Sequence, residues 1–303
     1  MSLRTRLNSS HPIWKALLWI ALMTGAFILL MIIARFLGSF GLNELSVLRT
    51  VQVLQSLLVF ILPAIVAVWC WSPSPLKELR CVPPASPHVY WLVPLLMLCA
   101  VPGINMLADW NGRVELPSFL ADLEETLKQK EEEAAMLTER LLHADNIGGL
   151  LANIVLIALL PAVGEELCFR GVMLNLCLNG GGLSCATTKK RMHLSVWVTA
   201  ALFSFIHFQF YGFVPRMLLG ALFGYLVLWS GSLWTSVIAH FVNNAVATVA
   251  YYICAHSSLD SCSLDSFGTG DTAWVGWLSI VVAVSVAVLM RNVCQQQSAE
   301  PLP

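Results

Sequence analysis

The sequence predicts an all-α fold, a polytopic membrane helical bundle with about eight transmembrane helices. Hydrophobic residues make up 57% of the chain and charged residues only 12%, whereas soluble domains carry roughly 25% charged residues. Long apolar runs recur along the whole chain of 303 residues, and one long polar segment interrupts them. This composition is typical of a protein that resides in a lipid bilayer.

A helix needs roughly 20 mostly apolar residues to cross the hydrocarbon core. The first apolar run is too long for the core of a signal peptide and lacks a clear cleavage site, so we expect an uncleaved span. The fourth run is too long for one crossing, and we expect it to leave the membrane as a helix that ends at Gly180, Gly181 and Gly182. The predicted spans are 13–37, 47–70, 88–107, 147–177, 193–210, 214–230, 232–255 and 272–290.

The charges of the loops predict the orientation, because Lys and Arg favour the cytoplasmic side of a membrane. With a cytoplasmic N-terminus, alternation of the spans puts the basic loops inside and the acidic loop with Asp260, Asp265 and Asp271 outside. We therefore expect both termini in the cytoplasm. Because no organelle signal is recognisable, this topology favours a bacterial cell inner membrane. The net charge of −1 and the lack of a basic segment argue against nucleic acid as a partner.

The spans predict three consecutive segments of the chain. Residues 1–145 hold three spans and an acidic amphipathic segment, 146–255 form a core with the candidate site, and 256–303 hold the last span and a tail. The acidic segment, 109–145, is predicted to be helical after Pro117, because leucines recur at three- and four-residue intervals. Two interpretations stay open: a solvated helix that joins two halves, or a lid or substrate gate at the membrane surface.

Glu165 and Glu166 are the only carboxylates between Asn146 and Leu259. A charge in the hydrocarbon region costs several kcal/mol, so ionisable residues there usually face a partner or a polar cavity. Arg170 lies four residues after Glu166 on the same helical face and offers it an ion pair. Glu165 is rotated by about 100° and cannot share that partner equally. We therefore expect a structural role for Glu166 with Arg170, and a general-base role for Glu165.

Two histidines lie deep in apolar helices, His207 and His240. A single histidine on such a face is more often a hydrogen-bonded core residue than a catalytic one, but two histidines beside an isolated carboxylate indicate a site. Asn244 follows His240 by one turn, so both could donate hydrogen bonds to one oxygen. Phe203 precedes His207 by one turn and could either shield the pocket or belong to the core.

The remaining candidates are predicted to lie at the surface. His143, His193 and His256 border polar or charged segments. Arg216 follows Pro215 at the start of a span and is expected to extend to the interface, with contact to a substrate carboxylate as the alternative.

Three motifs, in this order on successive apolar helices, resemble those of the CPBP family, the CAAX prenyl protease and bacteriocin-processing proteins, also called the Abi/CAAX protease family. The motifs are Glu165-Glu166-x-x-x-Arg170, Phe203-x-x-x-His207 and His240-x-x-x-Asn244. The resemblance covers about residues 146–250. It implies an intramembrane endopeptidase that cleaves a membrane-associated protein or peptide.

By this resemblance, Glu165 with His207 would activate the attacking water, while His240 and Asn244 would stabilise the oxyanion. Glu165, His207 and His240 could instead be zinc ligands, since the family has also been described as metalloproteases, but no H-E-x-x-H motif supplies a separate base. A cofactor is therefore either zinc or none. The resemblance also requires that the helix of His207 begins before His193, around Ala186, or is tilted, because Glu165 and His207 otherwise lie at different depths.

Two other functions stay open. The chain could be a non-catalytic relative that binds a partner or confers immunity to peptides. It could also be a proton or ion transporter that uses Glu165 and the histidines as a relay. A relay has no need of Asn244 beside His240, and common transporters show an inverted repeat, which is not evident in this sequence.

Overall fold

A computed structural model describes residues 3–40, 43–179, 188–257 and 266–299. These residues form helices and connecting loops without any strand. The predicted end of the fourth span at Gly180, Gly181 and Gly182 lies outside the described residues. The helices are α1 (Leu3–Asn8), α2 (Pro12–Ser39), α3 (Glu44–Trp71), α4 (Pro75–Glu78), α5 (Val89–Gly112), α6 (Ala121–Leu142), α7 (Ile147–Asn179), α8 (Lys189–Phe205), α9 (Phe213–Ser230), α10 (Leu233–His256) and α11 (Ala273–Ala299).

In the described part of the chain, seven helices are long and apolar enough to cross a membrane: α2, α3, α5, α7, α9, α10 and α11. Helix α8, with 17 residues, is slightly shorter than these seven. Large apolar side chains face outward along the bundle, among them Trp14, Ile32 and Trp274, each more than half exposed. A surface of this kind is stable against lipid and not against water. The predicted fold class is confirmed, and the protein is an integral membrane protein.

Both described ends of the chain lie at one end of the bundle, which we call the terminal end. Arg4 donates to the carbonyl oxygen of Ser72 at 3.1 Å, just after α3. Cys294, near the end of α11, packs in one buried cluster with Val89, the first residue of α5. The loop after α3 also reaches α7 at this end, where Arg80 Nε donates to Asn175 Oδ1 at 3.1 Å.

The acidic helix α6 lies at the opposite end of the bundle, which we call the α6 end. Arg140 of α6 forms an exposed ion pair with Glu44 at the start of α3, with 2.9 Å between Nη1 and Oε1. Asn111, near the end of α5, accepts from the amide of Val214 at 2.8 Å. These contacts place the loop between α8 and α9 at the α6 end, because Val214 lies in the first turn of α9.

The predicted core segment packs directly on the N-terminal spans. A buried cluster joins Phe60 and Trp71 of α3 to Phe169 of α7 and Phe203 of α8. In lipid, close side-chain packing holds helices together, so this cluster packs α7 against α3. The division of the chain at 145 and 255 stays a prediction about sequence segments.

Helix α7 carries the first motif in an irregular helix. Two stretches of it widen into π-helix, Ile154–Leu159 and Leu167–Met173. Glu165 and Glu166 end the regular stretch Leu160–Glu166 between them, and Arg170 lies in the second wide stretch. Such π-helical turns are frequent at functional sites. The regular period of 3.6 residues therefore does not predict where the side chains of these two wide stretches point.

Candidate active site

Glu166 and Arg170 form an ion pair in the centre of the bundle, as the sequence predicts. Arg170 Nη1 lies 2.7 Å from Glu166 Oε1, and both side chains are fully buried. Arg170 also donates from Nη2 to the carbonyl oxygen of Gly220 on α9 at 2.8 Å. The same Glu166 Oε1 lies 2.9 Å from Nδ1 of His240 on α10. Glu166 and Arg170 together thus connect three helices, α7, α9 and α10.

Aromatic rings surround this charged network. The Arg170 guanidinium carbon lies 4.6 Å from the ring centroid of Phe203 and 5.4 Å from that of Phe223. The Phe223 ring stacks on His240 with centroids 5.4 Å apart and an interplanar angle of 25°. Guanidinium–ring contacts in a dry environment are worth roughly 2 kcal/mol. The rings therefore shield the ion pair and restrict the orientation of the His240 imidazole.

Glu165 faces both histidines of the predicted site. Its Oε2 atom lies 3.9 Å from Nε2 of His207 and 3.9 Å from Nε2 of His240. This oxygen is buried and has no hydrogen-bond partner among the described residues. The side chain of His207 is 27% exposed, compared with 14% for Glu165 and 7% for His240, so the site opens on the side of His207.

The partners of the two histidines determine which ring nitrogen faces Glu165 as an acceptor. His207 Nδ1 lies 2.8 Å from the carbonyl oxygen of Phe203, which can only accept, so Nδ1 carries the proton. His240 Nδ1 faces the Glu166 carboxylate, which assigns the proton to Nδ1 in the same way. In their neutral forms both rings therefore present an unprotonated Nε2 to Glu165. A water molecule has two hydrogens, so it can donate to two of these three acceptors at once.

The helix before His207 begins earlier than His193, as the resemblance requires. Helix α8 begins at Lys189, four residues before His193, and ends at Phe205. His207 therefore lies beyond the end of the helix, in the loop to α9, and not within a span of 193–210 as predicted. The alternative start near Ala186 lies outside the described residues. Phe208 has a left-handed backbone with φ of 52°, so the chain turns sharply after His207.

Asn244 is bound to α7 near the site. Its amide nitrogen donates to the carbonyl oxygen of Ile157 at 3.4 Å, and its Oδ1 accepts from Asn243 at 3.2 Å. Ile157 belongs to the first π-helical stretch of α7. The contact with Ile157 is long for a hydrogen bond, which leaves the amide free to turn to a stronger acceptor. The role of Asn244 at an oxyanion stays a prediction.

The acidic helix α6 touches the loop that carries His207. Glu131 Oε2 accepts from the amide of Tyr211 at 3.3 Å. Leu127 lines an apolar groove together with Phe205 and Phe208. Helix α6 is therefore packed against the open side of the site, while most of its other residues are exposed. Whether it also moves as a gate stays a prediction.

The predicted surface positions of three histidines agree with their exposure. The side chains of His143 and His256 are exposed, and exposed His193 contacts Tyr225, with 2.7 Å between Nδ1 and the hydroxyl oxygen. Sequence reasoning missed Phe223 and Gly220, which contact His240 and Arg170. A signal for them exists, because Gly220-x-x-x-Gly224 is the small-residue spacing that lets two membrane helices approach closely. A Cβ atom at Gly220 would lie 3.2 Å from Arg170 Nη2.

Glu165, His207 and His240 have the donor types of a zinc site, and both rings are oriented through Nδ1 as in many such sites. Tetrahedral zinc with bonds of about 2.1 Å brings its ligand atoms to about 3.4 Å from one another. The separations of 3.9 Å from Glu165 are wider. Within the described ranges, no group of three or more His, Cys, Asp or Glu is arranged to hold a metal ion. The residues as placed do not fit zinc, and we derive no step through a metal.

Comparisons with known proteins agree with the three motifs. Residues 147–246 match the family described as Rce1-like, type II CAAX prenyl endopeptidase Rce1-like. The uncharacterized protein YpbD of Bacillus subtilis (strain 168) is 26% identical over 100 residues, which cover 32% of this chain and 44% of YpbD. The chain thus matches less than half of the length of that relative. No solved structure gives a significant match. The predicted resemblance to CAAX-type intramembrane peptidases is confirmed for residues 147–246.

Proposed function

We propose that this chain, whose core is Rce1-like, is an intramembrane endopeptidase that hydrolyses a peptide bond of a membrane-associated protein or peptide with water activated by Glu165. The observation that carries the proposal is the position of Glu165 Oε2, unpartnered and 3.9 Å from Nε2 of both His207 and His240. A water molecule about 2.8 Å from each of two such atoms bridges this distance easily.

Glu165 acts as the general base in the proposed reaction. It takes a proton from the water while the water oxygen adds to the carbonyl carbon of the substrate. His207, the more exposed histidine, accepts the second hydrogen of the water at Nε2 and so aims the oxygen toward the open side of the site. When the C–N bond breaks, the proton on Glu165 passes to the amine nitrogen that leaves, and Glu165 returns to its charged state.

His240 and Asn244 are proposed to stabilise the oxyanion of the tetrahedral intermediate. His240 Nδ1–H is engaged by Glu166, so a bond from Nε2 to the oxyanion requires the doubly protonated ring. Asn244 would donate its amide hydrogen after releasing the carbonyl oxygen of Ile157. Removal of one oxyanion donor from an enzyme typically costs roughly 3–4 kcal/mol of transition-state stabilisation.

The test is cleavage of a lipid-anchored peptide by purified protein in liposomes, comparing the wild type with Glu165→Gln and Glu166→Gln. We expect Glu165→Gln to remain folded and to lose activity by about 10²–10⁴-fold, the usual contribution of a general base. We expect Glu166→Gln to reduce the amount of folded protein. Equal turnover by the wild type and Glu165→Gln would reject the general base. Loss of wild-type activity with a chelator, restored by zinc, would replace it with a metal mechanism.

We further propose that the protein lies in a bacterial inner membrane with both termini in the cytoplasm. Support comes from the basic residues at the terminal end, such as Arg4, Lys77 and Lys189, because positive loops stay on the cytoplasmic side. The substrate is then expected to reach Glu165 from the α6 end, where the site opens.

A further inference from the structure

Asn111, near the end of α5, is buried at the α6 end of the bundle and lies outside the matched residues 147–246. Its Nδ2 atom donates to the carbonyl oxygen of Phe210 at 3.3 Å, and its Oδ1 atom accepts from the amide of Val214 at 2.8 Å. One side chain of α5 therefore bonds to two points on the connection between α8 and α9. That connection is the loop that carries His207.

Helix α9 begins with a cap that its own segment does not supply. The first amides of a helix have no partner within it, and a side chain just before the helix usually accepts from one of them. Gly212 precedes α9 and has no side chain for this purpose. Asn111 Oδ1 takes that role from a neighbouring helix by accepting from the Val214 amide. This bond therefore fixes where α9 begins and where the loop before it ends.

The loop depends on such hydrogen bonds because the side chains that flank His207 bury little of their surface. Three of these apolar side chains are exposed: Phe205, Ile206 and Phe208. The hydrogen bonds from Ser204 and Arg216 join the loop to its own two helices. Bonds from other helices come from Asn111, which makes two, and from Glu131, which makes one. Asn111 thus ties the loop to the N-terminal part of the chain.

We propose that Asn111 is a positioning residue, which holds the loop so that Nε2 of His207 faces Glu165. The inference rests on the proposed function and adds a residue to it. His207 Nε2 lies 3.9 Å from Glu165 Oε2, a separation that one water molecule bridges. A misplacement of about 1 Å in a catalytic group can lower the rate about 100-fold. Asn111 acts through the loop, because its two polar atoms contact the loop backbone and not the reacting groups.

The experiment is a double-mutant cycle in the cleavage of a lipid-anchored peptide, with the wild type, Asn111→Leu, His207→Gln and the double variant. Leu is close to Asn in shape and has no polar atom. We expect Asn111→Leu to lower kcat about 10- to 100-fold and to change KM by less than about 3-fold. In His207→Gln, where the histidine is already lost, the same change should lower kcat by less than about 3-fold. An equal fall in both backgrounds indicates a general structural role and would overturn the inference.

Ser279→Ala is the matched control for the loss of a buried hydrogen bond on α5. Ser279 Oγ accepts from the amide of Gly103 at 3.0 Å and so joins α11 to α5, about two helical turns before Asn111. We expect this variant to unfold at a lower temperature than the wild type and to keep its kcat. If Ser279→Ala lowers kcat as much as Asn111→Leu does, loss of stability explains both variants and the inference is rejected.

A spectroscopic measurement decides the inference without catalysis. The NMR signals of the His207 ring, in protein with ¹⁵N-labelled histidine, are assigned by their loss in His207→Gln. We expect Asn111→Leu to shift or broaden these signals and to leave those of His240, which Glu166 holds, in place. Ser279→Ala should shift neither set.

The same measurement separates this inference from the proposed function. If the wild type cleaves no peptide, the proposed function fails, whereas a change confined to the His207 signals in Asn111→Leu still supports the role of Asn111. It also decides the case in which His207→Gln cleaves too slowly for the cycle. Unchanged His207 signals, or equal changes at His207 and His240, would reject the inference.

Discussion

His240 donates its Nδ1–H to the same Glu166 oxygen that accepts Arg170 Nη1, at 2.9 Å and 2.7 Å. The structural ion pair and the candidate catalytic histidine are therefore one network. Glu166 orients the imidazole so that Nε2 faces Glu165, although the two glutamates are adjacent in the chain. The two glutamates therefore differ in role: Glu166 positions His240, and Glu165 faces the space for water.

The stability of this network can be measured with Glu166→Gln, Arg170→Met and the double variant. Each single change leaves a buried charge without its partner, and we expect a loss of about 3–5 kcal/mol in the free energy of unfolding. The double variant removes both charges, so its loss should be clearly smaller than the sum of the two. Thermal unfolding in detergent provides the comparison. Additive losses would show that the two side chains are not coupled.

The two functions of His240 can be separated by choosing its replacement. The amide nitrogen of Asn can take the place of Nδ1 and donate to Glu166, whereas nothing in Ala can. We therefore expect His240→Asn to unfold at nearly the wild-type temperature and His240→Ala to be destabilised by about 1.5–3 kcal/mol, the contribution of one hydrogen bond to a charged group. Both should lose peptide cleavage, because neither supplies Nε2. Full activity in His240→Asn would contradict the role assigned to Nε2.

Gly220 should be intolerant of any side chain. A Cβ atom there would lie 3.2 Å from Phe203 Cδ1 and 3.3 Å from the Cα atom of Ala200. We expect Gly220→Ala to separate α8 from α9 and to lower the free energy of unfolding by about 1–3 kcal/mol, with reduced cleavage. Gly25→Ala in α2 is the matched control, since a Cβ atom there meets nothing within 4 Å. Similar unfolding temperatures for both variants would refute the close packing.

Much of this site can be predicted from the sequence because its strongest signals are local. Glu166 and Arg170 are separated by one helical turn, so their pairing follows from the spacing alone. The contact of Glu166 with His240 joins residues on different helices, and periodicity predicts the face of a helix but not its neighbour. The predicted span begins at 193, four residues after the start of α8 at Lys189, because the first turn of α8 is basic and hydropathy does not detect it. Arg216 does not extend to the interface as the sequence predicts, since its Nη1 is buried without a hydrogen-bond partner among the described residues, and no sequence pattern encodes that conformation.

The orientation of the bundle yields a last prediction. The terminal end carries Lys77 and Lys189, whereas the α6 end carries the exposed residues Lys128 and Lys130. If the termini are cytoplasmic, trypsin added to spheroplasts should cut within α6 and leave a membrane-bound fragment with a C-terminal epitope tag. In inverted vesicles it should remove the tag and leave α6 intact, because helices α7 to α11 separate the two ends by the width of the bilayer. The reverse pattern would place the termini outside and open the site to the cytoplasm. Cleavage of α6 and of the tag from the same side would contradict the even number of crossings.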